Sequence, residues 1–230
     1  MSSIGDAVTY PMESDDWLKT ILIGGILLPV TLSIIPSGYL VRAIRANLDG
    51  KPEPPSFGDW GELFVDGLKL LIVYFIYMLI PLVVMIFTIG TAVAALVSGG
   101  EAGAAAGMGT IAVGLLVTMV LSLVFGYFAV VGVVNMAKED QFGAAFDVGT
   151  IKSVGLNSDF AVPWLISVGV FFGINVITNL LNVIPGLGFI LWFFLQFYGL
   201  VVASTLWADG FLAATDGGTA GRTGVEETPA

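Results

Sequence analysis

The sequence predicts an all-helical membrane bundle, and three observations predict it. Hydrophobic residues make up 57% of the 230 positions and charged residues 11%, whereas soluble domains average roughly 45–50% and 25%. The apolar residues gather into five stretches holding about 130 residues in all, each at least as long as the ~20 residues that a helix needs to cross a ~30 Å hydrocarbon core, the second and third approaching 30. The polar segments between them are short, which leaves little chain for a separate soluble domain. About five transmembrane helices are expected. The alternative is six helices, the first two forming a short re-entrant hairpin, and either arrangement carries one short interfacial helix.

Residues 1–16 form an acidic lead-in. Asp6, Glu13, Asp15 and Asp16 stand there without any Lys or Arg, the reverse of a signal peptide's basic start, so the first apolar stretch is expected to be kept. Ser14, Asp15 and Asp16 suit a helix N-cap, and Trp17 suits the membrane interface. The transmembrane domain then covers 17–213. Its first segment, 20–41, has about 22 residues, or about 33 Å of helix. Pro29 and Pro36 interrupt it, which permits a kink or a re-entrant turn. Arg42 and Arg45 follow at i, i+3, then Lys51, and Pro52, Pro54 and Pro55 mark a stiff linker.

Phe57-Gly58-Asp59-Trp60 leads into the second segment, 70–97, with Lys69 at its start and Pro81 inside it. A Gly/Ala turn region is expected over 98–107, and the third segment covers 108–137. Residues 141–157 have the pattern of a short interfacial helix, with Phe142, Ala145, Phe146 and Gly149 on one face. Asn157-Ser158-Asp159 caps the fourth segment, 160–183, and Pro185-Gly186-Leu187-Gly188 turns the chain into the fifth, 187–208. Residues 214–230 have the composition of a disordered acidic tail.

Orientation follows from the positive-inside rule. With five spans and the N-terminus outside, seven of the eight basic residues share the cytoplasmic side and Lys19 dissents. With a re-entrant first hairpin, Lys19 joins the others. In both arrangements the connections after segments one and three and the C-terminal tail are cytoplasmic, in a multi-pass protein of the cell membrane.

The chain has no Cys and no His. Disulfides, thiolate or imidazole metal sites and imidazole acid–base catalysis are therefore excluded. A net charge of −10 opposes binding to nucleic acid. No Asp, Glu, Lys or Arg lies deep in an apolar segment, although proton relays and ion-coupled transport normally need one. Neither a nucleophile-elbow motif nor a phosphate-binding loop is present. No cofactor is expected, and an enzyme is not expected.

Three features remain as candidates. Asn175, Thr178, Asn179 and Asn182 fall at i, i+3, i+4 and i+7, one face of a helix. Gln196 lies about as far after the Pro-Gly turn as the asparagines lie before it. This polar face either lines a solute path or supplies interhelical hydrogen bonds, each worth on the order of 0.6 kcal/mol. Arg42, Arg45 and Lys51 are candidate contacts for lipid headgroups or an acidic partner, beside their plain meaning as a topology signal. Gly169 and Gly173 form a GxxxG suited to helix packing, within the chain more than between chains. Glu62, Asp66 and Lys69 have the spacing of a solvated helix-end salt bridge.

Several blocks carry a resemblance. They are Tyr10-Pro11 with Asp15-Asp16-Trp17-Leu18-Lys19, Gly24-Gly25, Gly38-Tyr39 with Arg42, Pro55-Ser56-Phe57-Gly58-Asp59-Trp60, Phe64-Val65-Asp66-Gly67-Leu68-Lys69, Ala144-Ala145-Phe146-Asp147 and Phe197-Tyr198. Over roughly residues 7–214 the chain resembles a family of archaeal, chiefly haloarchaeal, integral membrane proteins of unknown function (domain of unknown function 4013). The resemblance implies a salt-rich cytoplasm, which an acidic, lysine-poor chain suits, and it carries no catalytic assignment. Two functions are expected in order. The first is a non-enzymatic scaffold or accessory subunit that packs with other membrane proteins or itself among membrane lipids. The second is a passive channel or carrier for an uncharged or lipidic solute along the asparagine face.

Overall fold

The computed structural model describes residues 3–223. Every regular element among them is helical: α1 (Ile4–Thr9), α2 (Trp17–Val30), α3 (Ile34–Leu48), α4 (Trp60–Ser98), α5 (Gly100–Glu139), α6 (Val148–Gly155), α7 (Ser158–Leu181) and α8 (Leu187–Thr223). Short 3-10 turns at Tyr10–Met12 and Phe142–Phe146 join them. Among the described residues, four helical stretches are long and apolar enough to cross a membrane: Trp60–Val97, Gly100–Glu139, Ser158–Leu181 and Leu187–Thr215. α8 continues as helix beyond 213, into the stretch assigned to the acidic tail, and residues 224–230 of that tail lie outside the described residues.

The first apolar stretch, 20–41, is not among the four. It is broken into α2 and α3 at Thr31–Ser33. Pro29 sits in the last turn of α2, and Leu32 and Ser33 take positive φ of 48° and 65°, a region that costs a side-chain-bearing residue steric energy. The reversal is held locally: the Ser33 amide donates to the Leu28 carbonyl at 2.8 Å, and the Thr31 hydroxyl donates to the Leu27 carbonyl at 2.8 Å. Pro36 falls in the first turn of α3, where a missing N–H leaves no helical bond unmade.

The two arms of this hairpin lie against α8. Ile21, Ala43 and Val201 share one apolar cluster with Ile35, Tyr39, Leu63 and Phe197. A Cβ on Gly24 or Gly25 would overlap the rings of Phe197 and Phe194; only glycine lets the α2 backbone come this close. Two residues before and after the hairpin also meet, since the Tyr10 hydroxyl donates to the Glu53 carbonyl at 3.1 Å. The start and end of the first apolar stretch are therefore neighbours in space.

Residues up to Leu71 and from Val130 onward form one compact unit, and Ile72–Ala129 a second. In the first unit, α3 and the start of α4 touch backbone to backbone. A side chain on Gly38 would strike the Leu63 carbonyl, and one on Gly67 would strike the Ile34 carbonyl. The end of α5 contributes an unbroken buried run from Val130 to Ala137, in which Asn135 donates to the Ala144 carbonyl at 2.8 Å and so pins the following 3-10 turn. α7 and α8 are antiparallel neighbours. Buried Trp207 donates to the Ser167 hydroxyl at 2.9 Å near one end, and Gly188 lies on the Thr178 carbonyl near the other. Gly186, at φ 81°, makes the turn between them.

The second unit consists of the facing parts of α4 and α5. The connection between these helices narrows to Gly99, with Gly100 at φ 51°, so the Gly/Ala-rich residues after it are helical instead of forming the expected turn. The reason is contact: a Cβ on Gly103 would meet the Ala95 carbonyl, one on Gly107 would meet Leu96, and one on Gly114 would overlap Thr88. The outer surface of this unit is apolar, with Phe87 70% and Met108 69% exposed.

Candidate functional site

The described charged groups of the first unit concentrate where α3, α4 and the end of α5 converge. Arg42 and Arg45, one turn apart on α3, face Glu62 and Asp66, one turn apart on α4. Arg42 Nη2 meets Glu62 Oε2 at 3.4 Å, and Arg45 Nη1 pairs with Asp66 Oδ2. Arg45 also donates from Nη2 to Asp140 Oδ1 at 2.7 Å and from Nε to the Ala137 carbonyl at 3.4 Å. Asp66 has a side chain only 5% exposed, and its second oxygen accepts from Lys69 Nζ at 3.1 Å. The expectation of a solvated helix-end bridge at Glu62, Asp66 and Lys69 is corrected at Asp66 alone: the Asp66–Lys69 pair forms and Glu62 is exposed, but the Asp66 carboxylate is buried. Asp66 is buried because Gly38 and Gly67 bring the two backbones together, and a buried carboxylate needs charged partners on both oxygens. A cleft of about 460 Å³ opens beside the cluster, lined by Arg45, Asp49, Glu62, Lys138 and Asp140 among others. Lys138 places its ammonium 5.4 Å from the centre of the Phe211 ring on α8.

The proline linker is fastened by its carbonyls. Prolines lack an N–H, so this segment cannot build its own hydrogen-bond ladder. The Tyr39 hydroxyl instead donates to the Pro55 carbonyl at 2.7 Å, Tyr10 to Glu53, and Arg42 Nη1 to the Gly58 carbonyl at 2.8 Å. Phe57 stacks on Tyr39 with ring centroids 4.6 Å apart and on Trp60 at 5.8 Å. Burial raises the Tyr10 hydroxyl to about 12, so it remains a donor across the physiological range. At the far end of the N-terminal segment, the Tyr198 hydroxyl donates to the Val8 carbonyl.

Arg42 and Arg45 thus have their guanidinium groups occupied within the chain, whereas Lys51 remains 63% exposed beside Asp49 at 3.7 Å. Of the three, only Lys51 presents its charge outward in the way a headgroup or partner contact requires. The asparagine face is divided. Thr178 is buried and bonds back to the Ile174 and Asn175 carbonyls, whereas Asn175, Asn179 and, just past the end of α7, Asn182 are exposed, the last with its side chain beside Gly188 of α8. The Asn175 and Asn179 amides donate to the carbonyls four residues earlier, Phe171 and Asn175, each at 2.8 Å. Trp192 of α8 donates to Asn175 Oδ1 at 3.3 Å. Gln196 is half-buried and hydrogen-bonds to none of the asparagines. Among the described residues, a Cβ at Gly169 or Gly173 would meet no atom within 4 Å, so neither glycine marks a close helix approach. Close helix approach is made at Gly38 and Gly67 instead.

The ionic ladder was legible in part. The i, i+3 bases and i, i+4 acids are visible as separate spacings, and they become one site only when the glycine crossing aligns them. The hydroxyl straps on the proline linker had no signal beyond the tyrosines themselves.

Comparison with known proteins adds one finding. Residues 21–183 match the model of the family described as protein of unknown function, DUF4013. The chain belongs to this family. The DUF4013 match runs from α2 to the residues just after α7, so it includes the first hairpin, the glycine crossing and the ionic ladder. No curated protein and no solved structure matches the chain.

Proposed function

We propose that this DUF4013 protein is a non-enzymatic membrane scaffold or accessory subunit. Its four long helices cross the cell membrane, and its outer surface packs with other membrane proteins or with copies of itself. The observation that carries this reading is the use made of the charged groups. Both oxygens of Asp66 and all three nitrogens of Arg45 are engaged in holding α3, α4 and α5 together. These are structural ties, and many large apolar side chains of the long helices are left exposed, Phe87 and Phe172 among them. The outward position of Asn175 and Asn179 suits a packing face more than a solute path within one chain.

In this reading α2 and α3 form a re-entrant hairpin. The N-terminus, the proline linker, the α5–α7 connection and the C-terminus then share one side, which collects all eight basic residues and is cytoplasmic by the positive-inside rule. The net charge of −10 suits a salt-rich cytoplasm, and we infer a halophilic archaeal source. Purification from native membranes in mild detergent, with mass measured by light scattering, tests the function. An oligomer or a stoichiometric membrane partner is expected; a lone monomer at every detergent condition contradicts the scaffold reading.

A further inference from the structure

We propose that the outer ridge of the α2–α3 hairpin is seated in membrane hydrocarbon, entering the bilayer from the cytoplasmic side and stopping short of the far headgroups. The proposal rests on the four-crossing reading and adds the surface and its partner.

The ridge is formed by Leu18, Leu22, Ile26 and Val30, spaced four apart along one side of α2, and by Leu32 at the tip. Their exposures are 54%, 45%, 55%, 69% and 81%. The opposite side of α2 is buried against α8 at Gly24 and Gly25. A water-facing helix of a soluble protein would carry polar residues on such a side. Here Lys19 is exposed in the first turn of α2, no charged residue follows it before Arg42, and every exposed residue of α2 beyond Lys19 (Leu22, Ile26, Pro29 and Val30) is apolar.

Lipid is favoured as the occupant by three observations. The first is length: 14 residues give about 21 Å of helix against a hydrocarbon core of about 30 Å, so α2 is suited to dipping and unsuited to crossing. The second is closure, because Tyr10 and Glu53 hold the two ends of the hairpin together. The third is continuity. α2 lies on α8 at the level of Phe194 and Phe197, and the level of Gly199 is where α8 meets Phe171 and Ile174 of α7. Near that level α7 exposes Phe172 (71%) and Val176 (42%). The ridge therefore lies at about the height of an apolar belt on a helix long enough to cross the membrane. The tip has the backbone such a position requires: Leu32 is held at positive φ while the amide and hydroxyl groups around it bond to Leu27 and Leu28, leaving an aliphatic side chain foremost.

The test uses the full-length protein in proteoliposomes, with single cysteines at Leu18, Ile26 or Leu32 carrying a nitroxide. Accessibility is measured to oxygen, which concentrates in hydrocarbon, and to a water-soluble nickel chelate. The expected result is a several-fold rise in the oxygen-to-nickel ratio from position 18 to position 32. Nickel access at Leu32 and Ile26 equal to that at an exposed loop position would overturn the proposal in favour of a hairpin lying in water. Low access to both reagents at both positions would overturn it in favour of a ridge covered by a second copy or another protein. A fourth label at Ser3 separates this from the underlying reading. If Ser3 lies outside, the four-crossing arrangement itself fails; if it lies inside and Leu32 is wet, the wedge alone fails.

Discussion

Asp66 and Gly67 are adjacent, and each depends on the other. Gly67 allows α4 to approach α3 closely enough to bury Asp66, and the partners of Asp66 neutralise the charge that this approach traps. Asp66→Ala is expected to destabilise the detergent-solubilised protein by about 3 kcal/mol, the lower end for breaking a buried pair, because Arg45 keeps Asp140. Glu62→Ala, at a pair whose carboxylate is 57% exposed, is expected to cost less than about 1 kcal/mol. Chemical or thermal unfolding of the two variants checks the ranking, and equal losses would contradict it. The glycines give a second contrast. Gly38→Ala and Gly67→Ala force a side chain into a carbonyl and are expected to cost at least the ~1–3 kcal/mol typical of overpacking, visible as loss of monodisperse protein. Gly169→Ala and Gly173→Ala open onto free space within α7 and are expected to leave the unfolding midpoint of the monomer undiminished, or to raise its stability by about 0.5–1 kcal/mol of helix propensity each. At this scale the sequence was legible in residue types and misleading in partners. GxxxG on α7 has the familiar packing spacing yet faces outward, whereas Gly38 and Gly67 lie 29 positions apart and share no motif.

Among the elements, α6 starts on a single side-chain cap. Asp147 accepts the Thr150 amide at 2.6 Å, and that hydrogen bond holds its carboxyl below the ordinary 3.8. A depressed folded value means that the capping contribution is fully present above the unfolded value and is lost as pH falls through the folded one. Protection of the Thr150 amide, corrected for intrinsic exchange, is therefore expected to hold at pH 5 and to fall only below 3.8. Asp147→Asn keeps a cap and removes this acid dependence; an unchanged dependence would show that another group controls α6. The first apolar segment shows the limit of reading elements from sequence. Pro29 and Pro36 marked a possible break, but Leu32 and Ser33 carry none of the Gly or Asn signal that normally announces positive φ. Local hydrogen bonds at Thr31 and Ser33 hold the break, and long-range packing supports it: Gly24 and Gly25 on the Phe197 and Phe194 rings, and Tyr10 on the Glu53 carbonyl. Asn179→Leu belongs to this scale too. Its amide bonds only within α7, so folding is expected to survive, and loss of association in the mild-detergent mass measurement would assign that face to a partner.

For the whole molecule, the apolar balance of the sequence was enough to establish helices and five apolar stretches, four of which form helices long enough to cross a membrane, because composition and run length act without knowledge of contacts. The number of crossings was not legible in the same way. It depends on whether 20–41 runs straight or returns, which turns on contacts between residues far apart in the chain, such as Tyr10 with Glu53. The chain has no native cysteine, so single cysteines introduced at Ser3, Ser56, Glu101 and Pro185 report sidedness without background. The most direct test of the account is labelling of these four variants in intact cells with a membrane-impermeant maleimide. Four crossings with a returning first hairpin predict that Glu101→Cys and Pro185→Cys react from outside, whereas Ser3→Cys and Ser56→Cys react only after the cells are permeabilised. External labelling of Ser3→Cys with Ser56→Cys protected would contradict it and restore five crossings.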